Sequence, residues 1–380
     1  MDVFLVLIFF SLLNLVVFGV ITNTNNGISK AYLWTLYIIH ICLSLVYFIY
    51  AGITTSDSIA YYKVSSNSQD WLIFFQTGSP FIRFLAWPFC NLMQLSYYAV
   101  MLIFSYFGFL GILFFYTAAK ENIQLQKKVY NLTPLEWIFF LPNIHFWSAS
   151  LGKGSVMILG IGMFIYGLSR FNYRLFYILI AAFLIYFTRP HILFTSIAGI
   201  LVALLLTRSG INKGIKFVLI LVAFITIYNL TDKVLEFTDT DNLNILNSSS
   251  IAHKAQELSK STSGVNLSDY NPITKLLTFW YRPLFADAPG LMGILVSFEN
   301  VLLILFSFTI IKVLALKWKY FNGWFFICGF TFLLGSFALA QVSGNLGIAL
   351  RQKAQLMPLF YIVYAKCLEF QQNIKFANGI

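Results

Sequence analysis

A chain of 380 residues that is 59% hydrophobic and only 10% charged is far from a soluble domain, in which about a quarter of the residues are charged. With a mean hydropathy of +0.78 it reads as a polytopic membrane protein. The net charge of +11 would suggest nucleic acid in a soluble chain, but basic residues gathered in short loops between apolar runs are a topology signal, so no nucleic acid is expected as a partner.

Taken in order, and at about 20 apolar residues per span, helices are expected near 3–21, 31–53, 90–117, 135–149, 154–169, 174–188, 191–207, 215–231, 291–314, 321–341 and 354–369. That is an all-α membrane domain, 1–380, of about eleven spans, the fourth to seventh of them short, with one large outer loop at 232–290. The first run lacks a basic flank and a small-residue cleavage site, and is expected to be a retained helix. Cys42, Cys90, Cys328 and Cys367 lie in or beside apolar segments without close spacing, as core residues do.

Placing Lys120, Lys127 and Lys128 in the cytoplasm collects Lys30, Arg170, Arg174, Arg208, Lys213, Lys216, Lys312, Lys317, Lys319, Lys366 and Lys375 on the same side. This satisfies the positive-inside rule and puts the N-terminus outside. Lys63, Arg83, Lys153, Arg189, Arg351 and Lys353 remain in or near short outer segments, and 11 of the 14 carboxylates fall on the outer side by the same assignment. A helix over 174–188 rises only about 22 Å against a hydrocarbon core of about 30 Å. Arg189 is therefore expected below the outer surface, and the short run after Lys353 sinks Arg351 and Lys353 likewise. Cations at that depth face a wet cavity or a counter-charge, or snorkel to the headgroups.

Several stretches carry residues suited to chemistry. Asp57, just beyond an apolar helix and followed by Tyr61, Tyr62 and Trp71, suits a sugar site, where a carboxylate accepts a hydroxyl proton and rings cover sugar faces. It equally fits an interfacial aromatic belt. Arg83 lies in an apolar segment expected along the outer interface. In PNIHFWSASLGKGS, Trp147 and Lys153 mark a turn whose glycines let a ligand approach and whose following helix offers its N-terminus to an anion. In TRPH, Pro190 opens a helix between Arg189 and His191. The stretch WYRPLFADAPG brings Trp280, Tyr281, Arg282 and Asp287 back to apolar surroundings, and Glu299 in VSFENVLL is an intramembrane carboxylate, a functional candidate by default.

The chain has no HExxH, no acidic triplet of the DxD kind in a short loop apart from the polar TDTD at 238–241, and scattered histidines, so no metal is expected. Nucleotide loops of the GxxxxGK[ST] and GxGxxG kinds are also absent, and no cofactor is expected. Sunken cations, aromatics and one or two carboxylates suit a lipid-linked phosphate or diphosphate carrying a sugar, because fixed positive charge stabilises a departing phosphate.

With PNIHFWSASLGKGS, TRPH, WYRPLFADAPG, GNLGIALRQKAQLMP and the Asp57–Tyr62 segment, the whole chain resembles bacterial polysaccharide (O-antigen or exopolysaccharide) polymerases of the Wzy-type and EpsG-like groups. More loosely it resembles multi-spanning glycosyltransferases with polyprenyl-linked donors. The resemblance implies an enzyme of the bacterial inner membrane that joins undecaprenyl-diphosphate-linked oligosaccharide repeats on the outer side, alongside other polysaccharide-assembly proteins. Arg189, Arg351 and Lys353 would then hold the diphosphate with Lys153 and Arg282 secondary, Asp57 or Glu299 would be the acceptor's base, and His191 a further catalytic candidate. The chain departs from polyprenyl-phosphate-sugar transferases in lacking a paired acidic motif after the first helix. A flippase or transporter of a lipid-linked glycan is the alternative of another class, and a non-catalytic assembly protein a third.

Overall fold

The computed structural model describes residues 1–207 except 26 and 55, isolated positions between 214 and 221, and 270–377 except 289, 344 and 345. The span expected at 215–231, apart from positions 217, 218 and 221, and loop residues 232–269 lie outside the described residues. Every named element is a helix, with one isolated bridge between Val129 and Leu132. The chain forms two compact units, 1–124 with 136–190 (unit 1) and 125–135 with 191–380 (unit 2).

Unit 1 holds α1 (Asp2–Thr24), α2 (Lys30–Ile53), α3 (Asp57–Asn67), α4 (Ser79–Trp87), α5 (Tyr97–Asn122), α6 (Pro134–Ile138, shared at its start with unit 2), α7 (Pro142–Ser148), α8 (Lys153–Ser169) and α9 (Leu175–Thr188). In unit 2 are α10 (Pro190–Leu206), α11 (Pro272–Tyr281), α12 (Gly290–Lys317), α13 (Gly323–Val342) and α14 (Leu346–Ala377). Prolines occupy the first turns of α4, α7 and α11, where a missing N–H costs nothing. Side-chain oxygens of Ser56, Asn271 and Asn322 cap α3, α11 and α13.

Five helices, α1, α2, α5, α12 and α13, are long and apolar enough to cross a membrane, and six spans result if α7 and α8, bent by 115°, count as one broken span. This makes the chain a multi-pass membrane protein with fewer full-length spans among the described residues than the eleven expected. Besides the expected span 215–231, most of which lies outside the described residues, and α8, which has 17 residues, three features contribute to the difference. Helices α9 and α10 have only 14 and 17 residues. The expected helix over 135–149 is two short ones, parted before Pro142. Finally, α14 runs for 32 residues, but Gln355, Lys366 and Glu369 interrupt its apolar character. Bare apolar side chains on α1 (Phe4, Phe9, Val16) and α12 (Phe298, Phe308, Ile311) suit lipid rather than water.

Helix α5 is the centre of unit 1, packed against α8, which packs in turn on α9. Backbone meets backbone at the first contact: a Cβ on Gly111 would lie 2.4 Å from the Ile158 carbonyl carbon, and one on Gly162 2.4 Å from the Gly111 carbonyl oxygen. Close approach of this kind replaces the hydrophobic drive that lipid does not supply. In unit 2, α13 packs on α14 and α11 on α13.

The three carboxylates left on the inner side by the charge assignment are all ion-paired. Arg174 holds Glu121 through two bonds of 2.8 and 2.7 Å and stacks on Tyr166. Lys120 lies 3.1 Å from Glu136, and Lys366 pairs with Glu369 one turn away. Cys42 is exposed and the other three cysteines are buried and unbridged; burial pushes the Cys90 thiol up to about 12, which makes it inert.

Candidate functional site

In unit 2 the polar interior starts from the spacing of α12. Gly293, Ser297, Asn300, Leu303 and Ser307 recur every three or four residues and face inward, while Phe298, Leu305 and Phe308 face out. Glu299 sits beside this stripe, 5% exposed. Opposite it, Lys353 on α14 is 0% exposed and donates from Nζ to the Asn300 Oδ1 at 2.7 Å and the Trp280 carbonyl at 2.8 Å. The Asn300 amide completes the lock by donating to the Pro283 carbonyl at 2.7 Å. One lysine thus ties α14 to α12 and to the end of α11.

The charge of Glu299 acts on both Lys353 and Tyr361. Above the lysine, Trp280 stacks on Phe332, Tyr281 donates to Ser307 Oγ at 2.7 Å, and Arg282 pairs with Asp287, whose second oxygen takes the Leu284 N–H at 2.6 Å. Four buried polar atoms on α11, α13 and α14 have no hydrogen-bond partner among the described residues: Trp280 Nε1, Thr331 Oγ1, Ser336 Oγ and the Tyr361 hydroxyl. Buried polar groups are ordinarily satisfied; of these four, Trp280 belongs to the residue whose carbonyl accepts from Lys353, and Tyr361 feels the Glu299 charge.

Lys353 does not snorkel, and its protons go to protein acceptors, so it orders the site from within. Arg351, half-buried, lies two residues earlier on the same helix. Residues two apart leave a helix in nearly opposite directions, so Arg351 and Lys353 do not form one clamp. His191, half-buried, is the second residue of α10 in unit 2.

The other sequence candidates belong to unit 1. Arg189, half-buried, ends α9, its N–H bonded to the Ile185 carbonyl at 2.7 Å. Asp57 is the exposed first residue of α3, where a carboxylate favours the helix N-terminus. Tyr61 is buried with its hydroxyl on Ser79, and Tyr62 donates to the Leu95 carbonyl at 2.9 Å, so both hydroxyls serve the fold. Trp147 packs edge-on against Phe146 and Tyr47 in the same aromatic cluster. At the turn from α7 to α8 the Lys153 Nζ approaches Gly78, whose φ of +84° suits glycine, and the Tyr61 ring lies beside Gly152. The structure therefore gathers Tyr61, Trp147 and Lys153 around one turn. Arg83 on α4 is half-buried with its Nε unpartnered among the described residues.

A groove lined by Val16, Val20, Leu113, Phe114, Tyr166 and Tyr177 is apolar and holds none of the candidates. Among the described residues no three His, Cys, Asp or Glu side chains converge as metal ligands. Sequence reading missed one meeting: the histidines expected to be scattered include His40 and His145, whose Nδ1 atoms lie 3.0 Å apart inside unit 1. A histidine in the apolar helix α2 was the available signal. In comparisons with known proteins, no family model, no curated protein and no solved structure matches the chain.

Proposed function

We propose that the protein is a membrane glycosyltransferase that polymerises polyprenyl-diphosphate-linked oligosaccharide repeats at the outer face of the bacterial inner membrane. The observation that carries this reading is the buried group Glu299, Asn300 and Lys353 beside the unpartnered Trp280 indole and Tyr361 hydroxyl. It offers a carboxylate, fixed positive potential and hydrogen-bond donors in dry surroundings, the requirements of glycosyl transfer from a diphosphate.

In this reading Glu299 takes the proton of the acceptor hydroxyl as its oxygen bonds to the anomeric carbon. The bond from that carbon to the diphosphate breaks, and the electron pair leaves with the diphosphate. Lys353 holds Asn300 in place and keeps the surroundings positive, while Arg282 and Arg351 meet the leaving group's charge. Glu299 is preferred to Asp57 as base because it is buried among donors, whereas Asp57 is exposed at a helix start.

The test compares the lipid-linked glycans of cells lacking the protein with cells carrying Glu299→Gln at matched membrane abundance. Loss of a general base should cut chain extension about 100-fold or more, so single unpolymerised repeats should accumulate in both. Normal long chains in both remove the polymerase reading. Repeats trapped on the inner leaflet would instead indicate a flippase.

A further inference from the structure

Inside unit 1, four groups form an unbroken polar line: the Ser105 carbonyl, His40, His145 and the Phe139 carbonyl. His40 Nε2 lies 2.9 Å from the Ser105 oxygen, the two Nδ1 atoms are 3.0 Å apart, and His145 Nε2 is 2.7 Å from the Phe139 oxygen. Both rings are fully buried, in α2 and α7, with the His40 ring against Phe109 of α5.

Counting protons decides what the line contains. A carbonyl oxygen only accepts, so each Nε2 must carry a proton to bond it. Two neutral imidazoles have two protons for three contacts. Any choice of tautomers then presses two lone pairs together at one contact or more, either between the Nδ1 atoms or against a carbonyl. Three protons satisfy all three contacts, and the third belongs between the two Nδ1 atoms. A metal ion in its place is excluded by distance, since nitrogen ligands at about 2.0 to 2.1 Å on a tetrahedral ion sit about 3.3 Å apart, and no third ligand converges there among the described residues.

We infer that His40 and His145 form a proton-binding site, a pair that holds one extra proton between its Nδ1 atoms and places a single positive charge inside the membrane region of unit 1. The line ends on backbone carbonyls at both sides, so it stores a proton and does not pass one on. Among the described residues no carboxylate bonds either ring: of the titratable groups on the surrounding elements (Tyr37, Cys42 and Tyr47 on α2, Tyr98, Tyr106 and Tyr116 on α5, Glu136 on α6, Lys153 at the start of α8) none is hydrogen-bonded to His40 or His145. Glu136 is already taken by Lys120 and Tyr116. Losing the proton leaves the central contact repulsive, and α7 must move away from α2. Since α7 carries Trp147 and leads into Lys153, the proton controls the turn where the unit 1 candidates gather. This inference stands apart from the transferase reading.

The experiment is nitrogen NMR on the full chain, labelled with ¹⁵N-histidine, in lipid nanodiscs at neutral pH. The expected result is one histidine pair with both Nε2 atoms protonated and a scalar coupling between its two Nδ1 atoms across the shared proton. In His145→Asn the coupling should vanish and His40 should become a neutral Nε2–H ring. Two neutral Nε2–H rings without coupling in the wild type would overturn the site, as would coupling that survives in His145→Asn. If that variant does not fold, raising the pH of the wild type serves instead. Amide exchange in α7 should rise as the coupling disappears, and unchanged exchange would overturn the proposed control of the turn.

Discussion

Lys353 in unit 2 and the His40–His145 pair in unit 1 are both fully buried polar centres set in apolar helices, yet they are built in opposite ways. The lysine charge is met by an amide oxygen, a carbonyl and the nearby Glu299. The histidine nitrogens meet two carbonyls and, among the described residues, no carboxylate. The lysine Nζ bonds both acceptors directly, so its surroundings fix its position. A histidine pair can release its proton and leave two neutral rings, so its surroundings need only direct the bonds. The first design suits a fixed anchor between helices, and the second suits a state that changes.

The largest expected effect breaks the first design. Lys353→Met should destabilise unit 2 by about 3 to 5 kcal/mol, because it strands the Asn300 and Trp280 oxygens and a buried carboxylate. Adding Glu299→Gln should restore part of that loss, and denaturant titration in detergent of both variants measures it. No recovery in the double variant would mean that Glu299 is balanced elsewhere. Next in size is Gly111→Ala, whose methyl would meet the α8 backbone at 2.4 Å. Backbone cannot rotate away as a side chain can, so a cost of about 1 to 3 kcal/mol is expected, seen as a lower unfolding midpoint. Glu121→Gln should cost about 2 kcal/mol by replacing the double bond to Arg174 with a neutral partner, and it should weaken unfolding resistance without touching either buried centre.

These effects separate what was legible in the chain from what was not. Helices α1, α2, α12 and α13 begin and end within a few residues of their expected positions, since apolar length and caps such as Asn322 are local signals. The start of the expected 90–117 is displaced: α5 starts at Tyr97 because Pro88 to Leu92 form a separate turn before it. Hydropathy also shortened α14, whose first turns are polar and still helical; residues such as Ala349, Leu350, Gln352 and Lys353 favour a helix whatever their polarity. Glu299 and Lys353 stood out as charges in apolar sequence. Their meeting through Asn300 depends on the way α12 and α14 pack, which no local pattern records. The histidine pair joins positions 105 apart, and its proton follows from three distances that only a folded chain supplies.

The smallest effect tests the rim of the unit 2 site. Arg282 and Asp287 are 31% and 26% exposed at their side chains, so solvent screens the pair and its net contribution to stability should be about 1 kcal/mol or less. Asp287 has a second task, however, in accepting the Leu284 N–H, and asparagine can keep that bond through its own carbonyl oxygen. Asp287→Asn should therefore leave the unfolding midpoint nearly unchanged while freeing the Arg282 guanidinium. If Arg282 meets the leaving diphosphate, the freed charge should tighten binding of a polyprenyl diphosphate in a nanodisc binding assay, and Arg282→Gln should weaken it. Equal binding in the two variants would confine this arginine to the fold and leave Arg351 as the cation of unit 2 to be tested against the diphosphate.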